Sequence, residues 1–250
     1  FGENLIEASL LGVSSNTFSF GHRFHHNEKI EISSPSEYEE KLANPGFVIA
    51  DFDKRKQLIN KLVLEQGTAL KATAVIDEKL LDEVTGLVEY PVALTGNFDR
   101  NFLDVPQEAL VSAMKTHQKY FYLVDKDNVL MPHFITVSNI KSTDPEQVIQ
   151  GNERVIRPRL ADARFFFETD KKQPLEQMQD ALKKIVFQEK LGTVFDKSTR
   201  VSQLSAAIAN ELNLSESDCQ RAAMLSKCDL ATNMVNEFAD LQGLMGYYYA

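Results

Sequence analysis

The feature that most constrains this fold is a change of pattern near residue 143. Before it, short runs of β-formers alternate with helical segments; after it, apolar residues recur at three-and-four spacing to the end. Thr143-Asp144-Pro145-Glu146 marks the change, because a capping residue, a proline and an acid are typical of a helix start. We therefore expect an α+β protein, with a mixed α/β domain over 1–143 and an all-helical domain over 144–250.

Local signals place the elements of both domains. Asp51 or Asp53 can cap a helix through 55–65, and a second helix is expected over 77–87. The other elements predicted in the first domain are a strand at 88–94 that contains Pro91, a helix starting at Pro106, and a hairpin of 120–124 with 134–137. Later helices are predicted at 179–188, 197–212 and 216–238.

Composition excludes several classes of protein. No apolar run approaches the ~18 residues of a membrane span, and the first residues lack a signal-peptide pattern. Because the sequence starts without Met, we expect an internal piece of a longer cytoplasmic polypeptide. Cys219 and Cys228 fit neither a disulfide framework nor a zinc site, so free thiols are expected. A net charge of −9 argues against indiscriminate nucleic-acid binding.

A local basic face is still possible, because a phosphate senses charge mainly within a Debye length of ~8–10 Å. Four arginines lie between 154 and 164: Arg154, Arg157, Arg159 and Arg164. On a helix of ~100° per residue, the first, second and fourth share an arc of about 80°, and Arg159 lies on the other flank of the apolar stripe. That stripe consists of Ile149, Ile156, Leu160, Ala163 and Phe167.

Two interpretations of this arginine cluster are open. The first is a solvated helix face on which Glu153, Asp162 and Glu168 neutralise the arginines. The second is a phosphate-binding ridge, since the planar guanidinium group binds phosphate oxygens in pairs. Periodicity does not decide between them. Pro158 is expected to kink the helix or to start a new one.

Residues 151–167, Gly-Asn-Glu-Arg-Val-Ile-Arg-Pro-Arg-Leu-Ala-Asp-Ala-Arg-Phe-Phe-Phe, resemble a sequence block of the bacterial glycyl-tRNA synthetase β subunit. Residues 88–92, Val-Glu-Tyr-Pro-Val, are similar to another block, with Tyr90 where Trp is usual. The resemblance continues through these segments: HQKYF (117–121), FITVSNI (134–140), VFQEKLGTVFDK (186–197), SKCDLATNMVNEF (226–238) and LQGLMGYYYA (241–250). Residues 1–80 match less tightly, mainly through Gly21-His22-Arg23-Phe24 and Val48-Ile49-Ala50-Asp51.

That resemblance implies a subunit of a class II heterotetrameric glycine–tRNA ligase. Its α subunit carries the catalytic core and binds ATP and Mg²⁺, so this chain is expected to hold no cofactor and no catalytic residue. The expected partners are the α subunit and tRNA(Gly), with a possible β–β contact and no membrane. The first domain is similar to the α/β domain of the phenylalanyl-tRNA synthetase β chain. The second is similar to HD-type phosphohydrolase domains.

The resemblance makes transfer RNA the expected ligand of Arg154, Arg157, Arg159 and Arg164. We expect the chain to bind the acceptor arm and to dock the α subunit. A second candidate tRNA-binding cluster is Lys115, His117 and Lys119, and Lys171 with Lys172 extends the first. The alternative is a scaffold for the α subunit without tRNA contact.

A degenerate metal phosphohydrolase is a further alternative. Cys228-Asp229 stands where HD enzymes carry a His-Asp doublet, and no histidine follows His133, so no metal site is predicted. Asp229 is expected to be a buried acid that binds a helix end. The paired His25 and His26 are expected to be a surface feature, and His22 has no assigned role.

Overall fold

The computed structural model describes residues 2 and 4–250. The chain forms two compact units, one of residues 1–98 and 118–154, the other of residues 99–117 and 155–250. The division between the units thus falls inside a long helix, eleven residues after the change of pattern at 143. Domains bounded at 143/144 stay a prediction.

Helices dominate the chain. The α-helices are α1 (Tyr38–Ala43), α2 (Phe52–Ala69), α3 (Glu78–Leu87), α4 (Gln107–Ser112), α5 (Pro145–Asp170), α6 (Val194–Glu211), α7 (Glu216–Leu225), α8 (Asn233–Glu237) and α9 (Leu244–Tyr249). Shorter 3₁₀ segments are Pro35–Glu37, Arg100–Asp104, Leu175–Lys184, Cys228–Ala231 and Ala239–Leu241, and a π-helical segment spans Ala113–Gln118. Within the described residues, no helix combines the length and the apolar character needed to cross a bilayer.

The strands form small antiparallel sheets. They are β1 (Ser9–Leu10), β2 (Val13–Ser14), β3 (Phe18–Phe20), β4 (Lys29–Glu31), β5 (Thr73–Ala74), β6 (Val92–Asn97), β7 (Phe121–Val124), β8 (Leu130–Ser138), β9 (Val186–Gln188) and β10 (Gly192–Thr193). A four-stranded sheet has the order β5-β7-β8-β6, and β1-β2, β3-β4 and β9-β10 are two-stranded pairs. The predicted hairpin is confirmed as β7 and β8.

The core of the first unit lies between this sheet and helices α2 and α3. Its buried members include Ile59 of α2, Leu81 of α3, Phe121 of β7 and Ile135 of β8. Both helices begin where the sequence predicts, because Asp51 and Asp77 accept hydrogen bonds from the backbone N–H groups of the first turn.

The first turns of α5 are fastened to the sheet unit by polar side chains. Glu153 accepts a hydrogen bond of 2.8 Å from the backbone N–H of Asn97, at the end of β6. The hydroxyl of Tyr120 donates to Asn152 Oδ1 at 2.6 Å, and Asn152 Nδ2 donates in turn to the carbonyl of Val148. Burial raises the pKa of Tyr120 to about 12, which keeps this donor protonated. The helix therefore starts in the first unit although its sequence pattern belongs to the helical half.

The strand prediction at 88–94 is displaced. Strand β6 runs over Val92–Asn97, directly after Pro91. The backbone N–H groups of Glu89 and Tyr90 instead donate to the side chain of Asn139. Since proline has no N–H for a ladder, the pairing begins only beyond it.

The mixed helix-and-strand class is confirmed, but the second unit is not all-helical. The helix predicted at 179–188 is a 3₁₀ segment that ends at Lys184, and it is followed by the hairpin β9-β10. Gly192 has φ +84°, a left-handed conformation that glycine adopts without a steric penalty. The helix predicted over 216–238 is also broken, because α7 ends at Leu225 and a 3₁₀ turn precedes α8.

Two buried aspartates hold the helix ends of the second unit. Asp170 accepts hydrogen bonds from the backbone N–H groups of Asn233 and Met234 at the start of α8. Asp229 is fully buried, and its Oδ2 accepts from the backbone N–H groups of Gly243 and Gly246 around the start of α9. The prediction that Asp229 binds a helix end is confirmed.

Candidate nucleic-acid interface

The apolar stripe of α5 is confirmed within the second unit. Ile156, Leu160 and Ala163 are completely buried and Phe167 is nearly so, whereas Ile149 in the first unit is only half-buried. Because these side chains occupy one face of the helix, residues on the opposite side point outward. At ~100° per residue, Arg157 and Arg164 lie about 60–80° from the centre of the stripe, so its burial places them on the flank of the buried face.

Arg157 and Arg164 are exposed on the outward side of α5, and Arg154 is exposed one turn earlier. None of these three guanidinium groups forms an ion pair or a hydrogen bond with the described residues. Arg159, on the other flank, lies 3.7 Å from Glu237, with both side chains about 43% exposed. Such an exposed pair contributes about 0–1 kcal/mol, so it does not lock the arginine in place.

The three acids of the first interpretation do not pair with Arg154, Arg157 or Arg164 among the described residues. Glu153 binds the end of β6, and Glu168 lies 3.6 Å from Lys171. Asp162 is exposed and pairs with no arginine in the part of the chain that the structure describes. The arginines are therefore solvent-exposed, as a solvated face requires, but they are not neutralised by these acids; that they bind phosphate stays a prediction.

Pro158 does not start a new helix. It lies inside α5, which continues to Asp170. Without an N–H group, Pro158 cannot donate to the carbonyl of Arg154, so one helical hydrogen bond is missing on the exposed side.

Phe165 is a candidate that the charge pattern does not reveal. It is 65% exposed, next to Arg164, while Phe167 two residues later is buried. A solvent-facing aromatic ring beside arginines can stack on a nucleobase, a contact that every base can make. The sequence itself indicates that Phe165 faces outward, because it lies outside the arc of the apolar stripe.

The other candidate cations are distributed over both units. Lys115 and His117 belong to the π-helical segment of the second unit, where the ring of His117 packs edge-on against Phe238 at 5.8 Å. Lys119 belongs to the first unit and forms a 2.8 Å ion pair with Glu83. Lys115 also has an interaction partner. All three residues thus have contacts within the protein, and their role in tRNA binding stays a prediction.

Lys171 and Lys172 are exposed just after the end of α5. Lys171 lies over the ring of Phe167 at 4.9 Å as well as near Glu168. Lys172 has no ion pair with the described residues, so it extends the positively charged end of this surface.

Cys228 and Asp229 stand where HD enzymes carry a His-Asp doublet, but both residues are packed in the protein core. Both are fully buried, and burial together with the charges of Asp229 and Glu176 raises the pKa of the Cys228 thiol to about 11. Both cysteines are free. Among residues 2 and 4–250, no three His, Cys, Asp or Glu side chains are grouped so that they could hold a metal ion.

The ring of His22 is held in place by hydrogen bonds with backbone groups. It is buried, its Nε2 lies 2.6 Å from the carbonyl of Asn139, and its Nδ1 accepts from the backbone N–H of Phe24. His25 and His26 are half-buried rather than free on the surface, and the His25 ring packs on Phe47 at 5.2 Å. Burial, then the charges of His22 and Lys141, lower the pKa of His25.

Comparison with known proteins shows what this chain is similar to. The family described as glycyl-tRNA synthetase beta subunit matches residues 1–250. Relatives named glycine–tRNA ligase beta subunit include those of Hahella chejuensis, 54% identical, and of Pseudomonas syringae pv. tomato and Chromohalobacter salexigens, both 52% identical. Each alignment covers 100% of this chain and 36% of the relative, so the chain spans about a third of their length.

Proposed function

This chain belongs to the glycyl-tRNA synthetase β-subunit family, and on that premise we propose that it serves glycyl-tRNA synthesis by binding transfer RNA. The outward face of α5 contacts the sugar-phosphate backbone of the acceptor arm. The chain also docks the α subunit, which carries the catalytic residues, ATP and Mg²⁺. In this proposal the chain is a non-catalytic part of a cytoplasmic aminoacyl-tRNA synthetase.

One observation supports the proposal most directly: Arg154, Arg157 and Arg164 are exposed and have no ion-pair or hydrogen-bond partner among residues 2 and 4–250. A guanidinium group without a carboxylate partner keeps all its donors available for phosphate oxygens. Glu153 and Glu168 bind Asn97 and Lys171 rather than these arginines. Phosphate contacts of this kind supply affinity and orientation rather than sequence recognition.

The test is a titration of tRNA(Gly) with the full-length β subunit at several salt concentrations. Changing Arg154, Arg157 and Arg164 together to Ala should weaken binding roughly 10- to 100-fold at low salt. It should also reduce the slope of log affinity against log salt by about one for each lost phosphate contact.

A matched control removes three positive charges elsewhere, by changing Lys61, Arg200 and Arg221 to Ala. All three are exposed. An equal loss of affinity in both triple variants would mean that overall charge, not the α5 ridge, controls binding. Unchanged affinity and slope in the α5 variant would refute the ridge.

The scaffold alternative predicts a different result. In that case the β subunit binds the α subunit but adds nothing to tRNA affinity, and the α5 variant weakens only subunit association. Measuring both associations with the same variant separates the two functions. A phosphohydrolase is disfavoured by the engagement of Asp229 Oδ2 with two backbone N–H groups.

A further inference from the structure

In helix α6, small side chains are buried and several large aliphatic side chains are exposed, the reverse of the usual arrangement. Apart from Val194 in its first turn, its buried residues are small: Ser198, Ser202, Ala206 and Ala209. Its large aliphatic residues, Val201, Leu204, Ile208 and Leu212 at its C-terminal end, are 40–62% exposed. These four residues form the α6 stripe.

The small face of α6 is already used. It packs against α7, and the Ser202 hydroxyl donates to the carbonyl of Gln220 at 3.3 Å. Small side chains let two helices approach closely. Helix α7 therefore packs against the small side of α6 and leaves the α6 stripe exposed.

The α6 stripe has the pattern of a helix-packing surface. Its members are spaced by three, four and four residues, so they line one side of the helix over roughly 16 Å at 1.5 Å per residue. No charged residue occurs between Arg200 and Glu211. Leu214, just beyond the helix, is 58% exposed and adds to the apolar area. Water-facing helix surfaces are normally polar, and a contiguous apolar surface marks a contact site.

The character of the stripe indicates a permanent partner. Interfaces that form and dissociate carry polar and charged rims, whereas cores and obligate contacts are apolar and free of charge. The relatives are nearly three times as long as the matched region, which covers 36% of them, so a family member contains ample further polypeptide. A segment joined to the same chain is always present at high effective concentration.

We infer that the α6 stripe is covered by an apolar segment of the same β-subunit polypeptide from outside residues 1–250. The inference rests on family membership and not on the tRNA-binding proposal. It assigns Val201, Leu204 and Ile208 to the interior of the complete subunit, although they face solvent in the chain described here.

Thiol labelling of the full-length β subunit, purified without the α subunit, tests this assignment. Ile208→Cys and Leu204→Cys are compared with Asn210→Cys, an exposed position on the opposite side of α6, in a background without other reactive cysteines. Both stripe cysteines should react roughly 10-fold more slowly than the control or slower still, because a covered thiol reacts only through local opening.

A photo-reactive phenylalanine analogue at position 208 identifies the covering segment. The expected product is an intramolecular crosslink to a peptide of the same chain outside residues 1–250. The assignment is overturned if the stripe cysteines react as fast as the control in the β subunit alone. It is equally overturned if protection appears only after the α subunit is added, or only as protein concentration rises, which would identify the α subunit or a second copy as the occupant.

Discussion

Helices α5 and α6 bury different kinds of side chain and so present different surfaces to their surroundings. In the second unit, α5 buries the large residues Ile156, Leu160 and Phe167 and exposes arginines. Beyond Val194 in its first turn, helix α6 buries serine and alanine and exposes Leu204 and Ile208. A charged outer face suits a hydrated polar ligand such as phosphate, whereas an apolar outer face suits a partner that stays bound.

The two helices show that the exposed face of a helix can be interpreted only when its buried face is known. The arginines of α5 are exposed because its large residues fill the core. The aliphatic residues of α6 are exposed because α7 packs closely against the small residues on another side of the helix. Four experiments test this difference, from the largest expected effect to the smallest.

Leu160→Ala should lower the free energy of opening of α5 by about 2–5 kcal/mol, because it leaves a cavity at a fully buried position. Hydrogen exchange of the α5 amides in the full-length subunit measures this change. Val155→Ala, at a half-exposed position of the same helix, should change the opening free energy by less than about 0.5 kcal/mol. Equal effects of the two variants would contradict the described orientation of α5.

Leu204→Ala should lower the free energy of opening of α6 by about 1–3 kcal/mol in the full-length subunit, since a covered leucine loses apolar contact area. The measurement is again hydrogen exchange, with exposed Gln203→Ala as the matched variant. A change no larger than that of the matched variant would mean that the α6 stripe faces water in the complete subunit.

Arg157→Lys should weaken tRNA binding roughly 3- to 10-fold while leaving the salt dependence nearly unchanged. Lysine keeps the charge that sets the salt slope but lacks the planar fork that binds phosphate in pairs. Titration at several salt concentrations separates the two quantities. A loss of slope as large as that caused by changing Arg157 to Ala would show that a lysine charge at this position does not reach the phosphate, which would contradict the expectation.

The Arg159–Glu237 pair should have the smallest effect. A double-mutant cycle with Arg159→Ala and Glu237→Ala is expected to give a coupling energy below about 1 kcal/mol, because both side chains are partly exposed. Thermal unfolding of the four proteins measures it. A coupling well above this value would place Arg159 in an internal ion pair and remove it from the candidate interface.

Local sequence signals predicted much of the fold. The cap Asp51, the helix expected over 77–87, the hairpin β7-β8 and the buried stripe of α5 are confirmed, because each depends on residues close together in the chain. Periodicity placed Arg157 and Arg164 on one arc beside the stripe, but their exposure was not predicted. That these arginines bind tRNA stays a prediction.

Other features depend on residues far apart in sequence. Asn152 and Glu153, within the arginine motif, fasten α5 to Tyr120 and Asn97. Their polar character alone did not distinguish an anchoring role from a solvated one. The hairpin β9-β10 was also missed, since three-and-four spacing over a short apolar run fits helix and strand alike.

The sequence by itself determined the family, the long helices and the side of α5 on which the arginines lie, because these follow from residue identity and helical periodicity. Only the tertiary structure decided which acids leave the arginines unpaired and which face of α6 is buried. The first outcome depends on Asn97, which is far from Glu153 in the chain, and the second depends on how α7 packs against α6; the periodicity of a single helix specifies neither contact.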